Sequence, residues 1–176
     1  MSRIHKFPPR KCSLVGATAL GALMLTVAGC TTPPPTYRFD SVASDPAISF
    51  ESAFVRHTHF SVNVKDVGKN ACVDFETAGY LLKVDSIFLY DKPSTEIRIK
   101  APANKPVAIK AWHVYSDPAY MSSCGPLTRV FTPESGTNYV VKLNEENKRC
   151  FVSVASVDRD GRRKEVPSRT LPQCAK

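Results

Sequence analysis

No Gly-x-Ser-x-Gly, Ser-x-x-Lys, His-Glu-x-x-His, phosphate-binding loop or dinucleotide fingerprint occurs in this sequence. The common local signatures of serine hydrolases, zinc proteases, nucleotide hydrolases and nucleotide-dependent oxidoreductases are therefore missing. No two cysteines stand at C-x-x-C spacing, and none is spaced from histidine as in a zinc finger, which removes the usual structural zinc sites. After residue 30 there is no apolar run long enough to cross a bilayer, no long amphipathic helical pattern and no repeat at solenoid spacing. Acidic residues are absent from the first 29 positions. That last absence leads to the most informative part of the chain.

Arg3, Lys6, Arg10 and Lys11 precede an uncharged run from Leu14 to Gly29 that closes on Cys30. A positive start, a short apolar stretch and a small-residue boundary are the parts of a secretory signal, and the run is short for a membrane span. Val27-Ala28-Gly29-Cys30 resembles the lipobox of bacterial lipoproteins, with Val27 where leucine is more usual. The resemblance covers the first 30 residues and implies that residues 1–29 are removed and that Cys30 carries a diacylglyceryl group. It also implies acylation of the new amine; two or more chains at about 0.8 kcal/mol per buried methylene anchor stably where one would not. Thr31, in place of the aspartate that retains many Gram-negative lipoproteins in the inner membrane, implies sorting to the outer membrane facing the periplasm, with display on the cell surface as the variant of that location.

Removal of residues 1–29 leaves 147 residues and lowers the formal charge from +8 to +4. That is one domain with a real core, and its charge gives no reason to expect a nucleic-acid partner. Cys12 leaves with the signal and Cys30 takes lipid, so Cys72, Cys124, Cys150 and Cys174 remain. In an oxidising compartment they predict two disulfides, with three connectivities open. The favoured pairing is Cys124 with Cys150, from a Ser-Ser-Cys-Gly-Pro turn to the start of an alternating strand, and Cys72 with Cys174.

Residues 30–48, with Thr31-Thr-Pro-Pro-Pro-Thr36 and Asp45-Pro46, read as a lipidated N-terminus and a semi-rigid proline-rich tether. From residue 49 to 176 the dominant period is two. Phe60, Val62 and Val64 alternate with polar residues, as do Ile97 and Ile99, Val107 to Ala111, Tyr139 to Leu143, and Cys150 to Val154. Pro102 to Pro106 reads as the turn of a hairpin over 95–115. Asn144 to Lys148, Pro133 to Gly136 and Arg159-Asp-Gly161 read as further turns. About seven short strands joined by such turns predict an all-β fold, an antiparallel β-sandwich of immunoglobulin-like or transthyretin-like type. Residues 95–157, with a Lys-Pro turn, a Cys-Gly pair, Phe-Thr-Pro-Glu-x-Gly and a late cysteine, resemble small uncharacterised proteobacterial lipoproteins. That resemblance implies no activity. By anatomy alone, without a shared motif, the chain is also similar to the anchor lipoprotein of type VI secretion systems.

Candidate chemistry is sparse. His57 and His59 share one parity of a strand and suit a metal such as zinc or copper, yet no third ligand is evident in the sequence, so they read as polar residues on a solvated face. His113 reads as a hydrogen-bonded core histidine. Asp74 with Glu76, and Glu145 with Glu146, read as solvated acids and not as glycosidase carboxylates. Arg159, Arg162, Arg163 and Lys164 cluster at a turn that could touch anionic headgroups or an acidic partner. Trp112, Tyr115, Tyr120 and Met121 offer an apolar contact patch or core packing. The expectation is a non-enzymatic binding or structural module of an envelope assembly, membrane-bound through Cys30, with an envelope protein as partner and no cofactor or metal. The alternative is a periplasmic inhibitor or small-ligand-binding lipoprotein.

Overall fold

A computed structural model describes residues 35–55, 57–65, 67, 72–83, 94–116 and 121–171. The signal segment, the lipobox with Cys30, Tyr120 and Cys174 lie outside these residues. Ten strands are described: β1 (Ala47–Ser52), β2 (Thr58–Asn63), β3 (Glu76–Leu81), β4 (Ile97–Lys100), β5 (Val107–Ser116), β6 (Met121–Phe131), β7 (Asn138–Glu146), β8 (Arg149–Val157), β9 (Arg163–Glu165) and β10 (Arg169–Thr170). They form two five-stranded sheets, β4-β1-β7-β8-β9 and β10-β6-β5-β2-β3. The protein is an all-β sandwich.

Alternation is the reason these segments bury the faces they do. In β2, Phe60 and Val62 turn inward; in β7, Tyr139, Val141 and Leu143 do; in β8, Val152 and Val154 do, and all are buried in one core with Ile48, Phe50, Ile109 and Phe131. Phe50 and Phe60 meet between the sheets with ring centres 4.7 Å apart. Burying such side chains at ~25 cal/mol per Å2 of apolar surface is the main stabilising term of the sandwich.

Three features differ from the sequence reading. First, the sheets are not wholly antiparallel. β1 lies between β4 and β7 and runs parallel to β7, Ile48 opposite Tyr139 and Phe50 opposite Val141; side-chain alternation is the same in either direction, so the pattern is blind to this. Second, 95–115 is not a hairpin. β4 pairs with β1 and β5 with β2, so Pro102 to Pro106 carries the chain from one sheet to the other. The prolines offer no N–H to a ladder, Ala101 N–H donates to Pro46 O (3.1 Å), and Asn104 N–H to Pro133 O (2.7 Å). Third, Ser-Ser-Cys-Gly-Pro is strand and not turn. β6 continues through it, and the register with β5 shifts between Ala111 and His113. Gly125 sits at φ +90°, where a Cβ would lie 2.7 Å from Ala111 O, so only glycine fits there.

Other turns follow the reading. β7 and β8 form a hairpin through Asn147 and Lys148, both at positive φ (50° and 60°), as a two-residue primed turn requires. β8 and β9 join through Asp158 to Arg162, where the Asp158 carboxylate accepts from the Asp160 and Arg162 N–H groups at 3.0 and 2.8 Å. Residues 35–48, read from the sequence as part of a tether, are not one. From residue 35 onward the chain lies on the domain: Thr36 bridges Thr77 in parallel, Tyr37 N–H donates to Thr77 O at 2.8 Å, and Tyr37 Oη donates to Lys100 O at 2.9 Å. Burial, with Glu76 and Asp45 nearby, pushes the Tyr37 hydroxyl well above its ordinary pKa.

Candidate functional site

The outward side of the β10-β6-β5-β2-β3 sheet is divided in two. Near Asn63 and Ala108 it is covered by a small second core of Val67, Ala108, Val130 and Leu171, with Cys72 and Phe75 packed against it. The other half carries rings. β2 places His59 opposite Tyr80 of β3 on one side and opposite Trp112 of β5 on the other. The three side chains form a cross-strand ladder, the arrangement in which neighbouring strands bring aromatic groups into contact. Imidazole and indole stack at 5.1 Å with planes 11° apart, and His59 lies 6.0 Å from the Tyr80 ring.

His57, immediately before β2, completes a triangle with these side chains. Its ring centre is 6.2 Å from that of His59 and 5.4 Å from that of Tyr80. All four rings are half-buried. Burial, and then the proximity of His57 and His113, hold the His59 imidazole below its ordinary pKa. His113 is on the inward parity of β5 and buried, as expected for a core histidine. Its Nδ1 hydrogen-bonds His57 O at 2.8 Å, and its ring stacks on Phe54 at 4.2 Å. The buried His113 thus fixes the backbone that presents His57.

Beyond Trp112 the surface becomes apolar and exposed. Val114 is 58 % and Met121 79 % exposed. Val114 shares its parity with Trp112, and Ser116 pairs with Met121 at the end of the same hairpin. The apolar patch therefore contains Trp112 and Met121, while Tyr115 lies half-buried on the opposite parity. Below the ladder, the Lys110 ammonium sits over the Phe75 ring at 4.2 Å from its centre, and burial lowers its pKa.

The basic cluster is not one unpaired cationic patch. Arg162 is held by Asp158 at 2.8 Å and Asp160 at 2.9 Å. Arg163 forms a bidentate pair with Glu51 of β1, at 2.9 and 2.6 Å, across the outer face of the other sheet. Arg159 and Lys164 carry no ion pair among the described residues. Alternating acids along the turn, Asp158 and Asp160, were the signal for this self-neutralisation. Of the acidic pairs, Glu76 is bonded to Lys65 at 2.7 Å, and Glu145 and Glu146 are exposed at the end of β7.

Cys124 and Cys150 form a disulfide with a Cα separation of 5.7 Å. It joins β6 of one sheet to β8 of the other, and beside it Arg129 Nε donates to Val152 O at 2.9 Å. Cys72 is also disulfide-bonded; its expected partner Cys174 lies outside the described residues. A separate open cleft of about 690 Å3 is lined by Val67, Pro106, Val130, Phe131, Val166 and Arg169, among others. No three His, Cys, Asp or Glu side chains gather as a metal site among the described residues.

Sequence reasoning found His57, His59 and Trp112 separately but not their convergence, and it missed Tyr80 altogether. Their spacing along the chain carries no signal; only the strand order β3-β2-β5 unites them. No protein-family model, curated protein or solved structure matches the chain.

Proposed function

We propose that this protein is a lipoprotein anchored in the outer membrane through Cys30, facing the periplasm, and that it is a non-enzymatic binding module of an envelope assembly. The observation that carries the reading is the position of the ring ladder relative to the point where the chain joins the domain. Thr36 bridges Thr77 in parallel and Pro35 O accepts from Thr77 N–H at 2.7 Å, so the chain joins the domain at the Glu76 end of β3, away from Tyr80. Four residues lie between Cys30 and Pro35, so the two are at most about 17 Å apart. An anchor within that reach of Pro35 would favour the covered half of the sheet as the side nearer the lipid and leave His57, Trp112, Val114 and Met121 at the other end. Exposed apolar side chains rimmed by polar rings are the chemistry of a protein contact. Cysteines held as disulfides suit an oxidising compartment.

In-cell crosslinking of the lipidated chain, with Cys30→Ser as the unanchored control, tests the reading. One envelope protein captured in stoichiometric amount, and lost when Val114 and Met121 are replaced by aspartate, is the expected result. A Cys30 that takes no fatty-acid label overturns the anchor, and capture indifferent to Val114 and Met121 overturns the contact face. The 690 Å3 cleft, within the size range of small-molecule sites, favours the second reading, a small-ligand-binding lipoprotein.

A further inference from the structure

The contact face does not account for the triangle of His57, His59 and Tyr80. A protein-contact patch needs apolar area; it does not need two imidazoles and a phenol gathered within 6.2 Å of one another. We infer that His57, His59 and Tyr80 form a binding site for a borderline divalent metal ion, Cu2+ in preference to Zn2+.

Three observations support it. Imidazoles sharing one ion at about 2.0–2.1 Å place their ring centres roughly 5 to 6.5 Å apart, and the His57–His59 separation of 6.2 Å lies inside that interval. Rotation about Cβ–Cγ then aims a nitrogen of each toward a common point. The third donor comes from a neighbouring strand: Tyr80 stands directly across from His59 in the β2–β3 register, its ring 5.4 Å from His57. The backbone is also held in place. His57 O is bonded to the buried His113, and Trp112 stacks against the far side of the ladder, so the first strand residues are fixed before any ion arrives. Two imidazole nitrogens and a phenolate oxygen, the Tyr80 proton leaving to solvent as the ion binds, form a donor set that the divalent series binds most tightly as copper.

The chain carries its own reporter. Trp112 is the single tryptophan, stacked 5.1 Å from one ligand, so a paramagnetic ion at the site quenches its fluorescence. The test is titration of the full chain, purified in detergent without a polyhistidine tag, with CuCl2. Readouts are Trp112 emission and electron paramagnetic resonance. The expected result is quenching that saturates at one equivalent with a dissociation constant of about 10 μM or tighter, two-nitrogen hyperfine structure, and displacement by excess Zn2+ with recovery of emission. His57→Ala and His59→Phe each weaken binding about tenfold or more, and Tyr80→Phe weakens it by a smaller factor. His59→Phe keeps a ring between Tyr80 and Trp112, so an unchanged thermal transition separates loss of the ligand from loss of the fold. No saturable quenching below about 100 μM copper overturns the site, as does binding that survives His57→Ala combined with His59→Phe. Either failure leaves the anchoring and the partner face of the proposed function standing, because those are read by fatty-acid labelling and crosslinking.

Discussion

Replacing Cys124 and Cys150 together by alanine removes the one described covalent tie between the two sheets. The bridge closes a loop with a sequence separation of 26. In the chain-entropy treatment a loop of that size restricts the unfolded chain by about 3.5 kcal/mol at 25 °C. Cys124 is also buried within the core, so loss of its sulfur adds about 1 kcal/mol of packing. The variant is expected to be less stable by about 4.5 kcal/mol, a large share of the 5–15 kcal/mol of an ordinary domain. Urea unfolding followed by Trp112 emission reads this directly. With a slope of about 1–3 kcal/mol per molar, the midpoint falls by roughly 1.5 to 4.5 M, and the slope itself rises because the untied chain exposes more surface when unfolded. A loss below about 1 kcal/mol with an unchanged slope would refute the reasoning. It would mean that the Arg129 bond to Val152 O and the buried side chains hold β6 to β8 without covalent help.

Gly125→Ala places a Cβ 2.7 Å from Ala111 O at φ +90°; a loss of about 1–3 kcal/mol from the backbone conformation alone is expected, read as a lowered thermal midpoint, whereas Gly161→Ala at φ +79° meets no atom within 4 Å and costs less. Arg163→Ala separates Glu51 from its bidentate partner, both side chains being well exposed, so the loss is under about 1 kcal/mol. The Glu51 carboxyl is held below its ordinary value of 4.5, chiefly by the Arg163 hydrogen bond. Its folded state therefore binds fewer protons than the unfolded chain, and the stabilisation is present above that ordinary value and lost as pH falls through the lowered one. Thermal midpoints of the wild type and Arg163→Ala should differ near neutral pH and converge in the acid range; a gap that persists in acid would refute the pairing. Tyr37→Phe removes the hydroxyl bond to Lys100 O and should cost about 1 kcal/mol, with faster proteolysis between Pro35 and Pro46 as its local readout.

Much of the sandwich was legible in the chain because half-buried strands write their burial into alternate residues. Phe60 and Val62, Tyr139 to Leu143, and Val152 and Val154 are where period two placed them. The Asp158–Gly161 turn and the Cys124–Cys150 pair were legible for the same local reason, turn chemistry and strand position. Partnership was not. Nothing in Ile97 to Lys100 tells whether it pairs with the strand after it or with β1, since either leaves Ile97 buried. The parallel β1–β7 pair is invisible to alternation, and Gly125, read as a turn residue, marks a backbone that must pass close to Ala111 O. The ring triangle required strand order, which local patterns do not encode. The ion pairs within the basic cluster were only partly legible: Asp158 and Asp160 are interleaved with it, but Glu51, the partner of Arg163, lies more than a hundred residues earlier.

The parallel seat of β1 between β4 and β7 also bears on when this molecule can fold. Ala47–Ser52 is complete early in synthesis, but its neighbours Ile97–Lys100 and Asn138–Glu146 appear only much later. Until then its edges have no partner, and this interior strand of the sheet cannot be satisfied locally. Pairings of such long sequence separation are slow to form. The delay leaves Ala47–Ser52 without its parallel neighbour until nearly ninety further residues have been made. It also means that any truncation before residue 138 leaves β1 without its β7 partner and its Ile48 and Phe50 without their cross-strand neighbours Tyr139 and Val141.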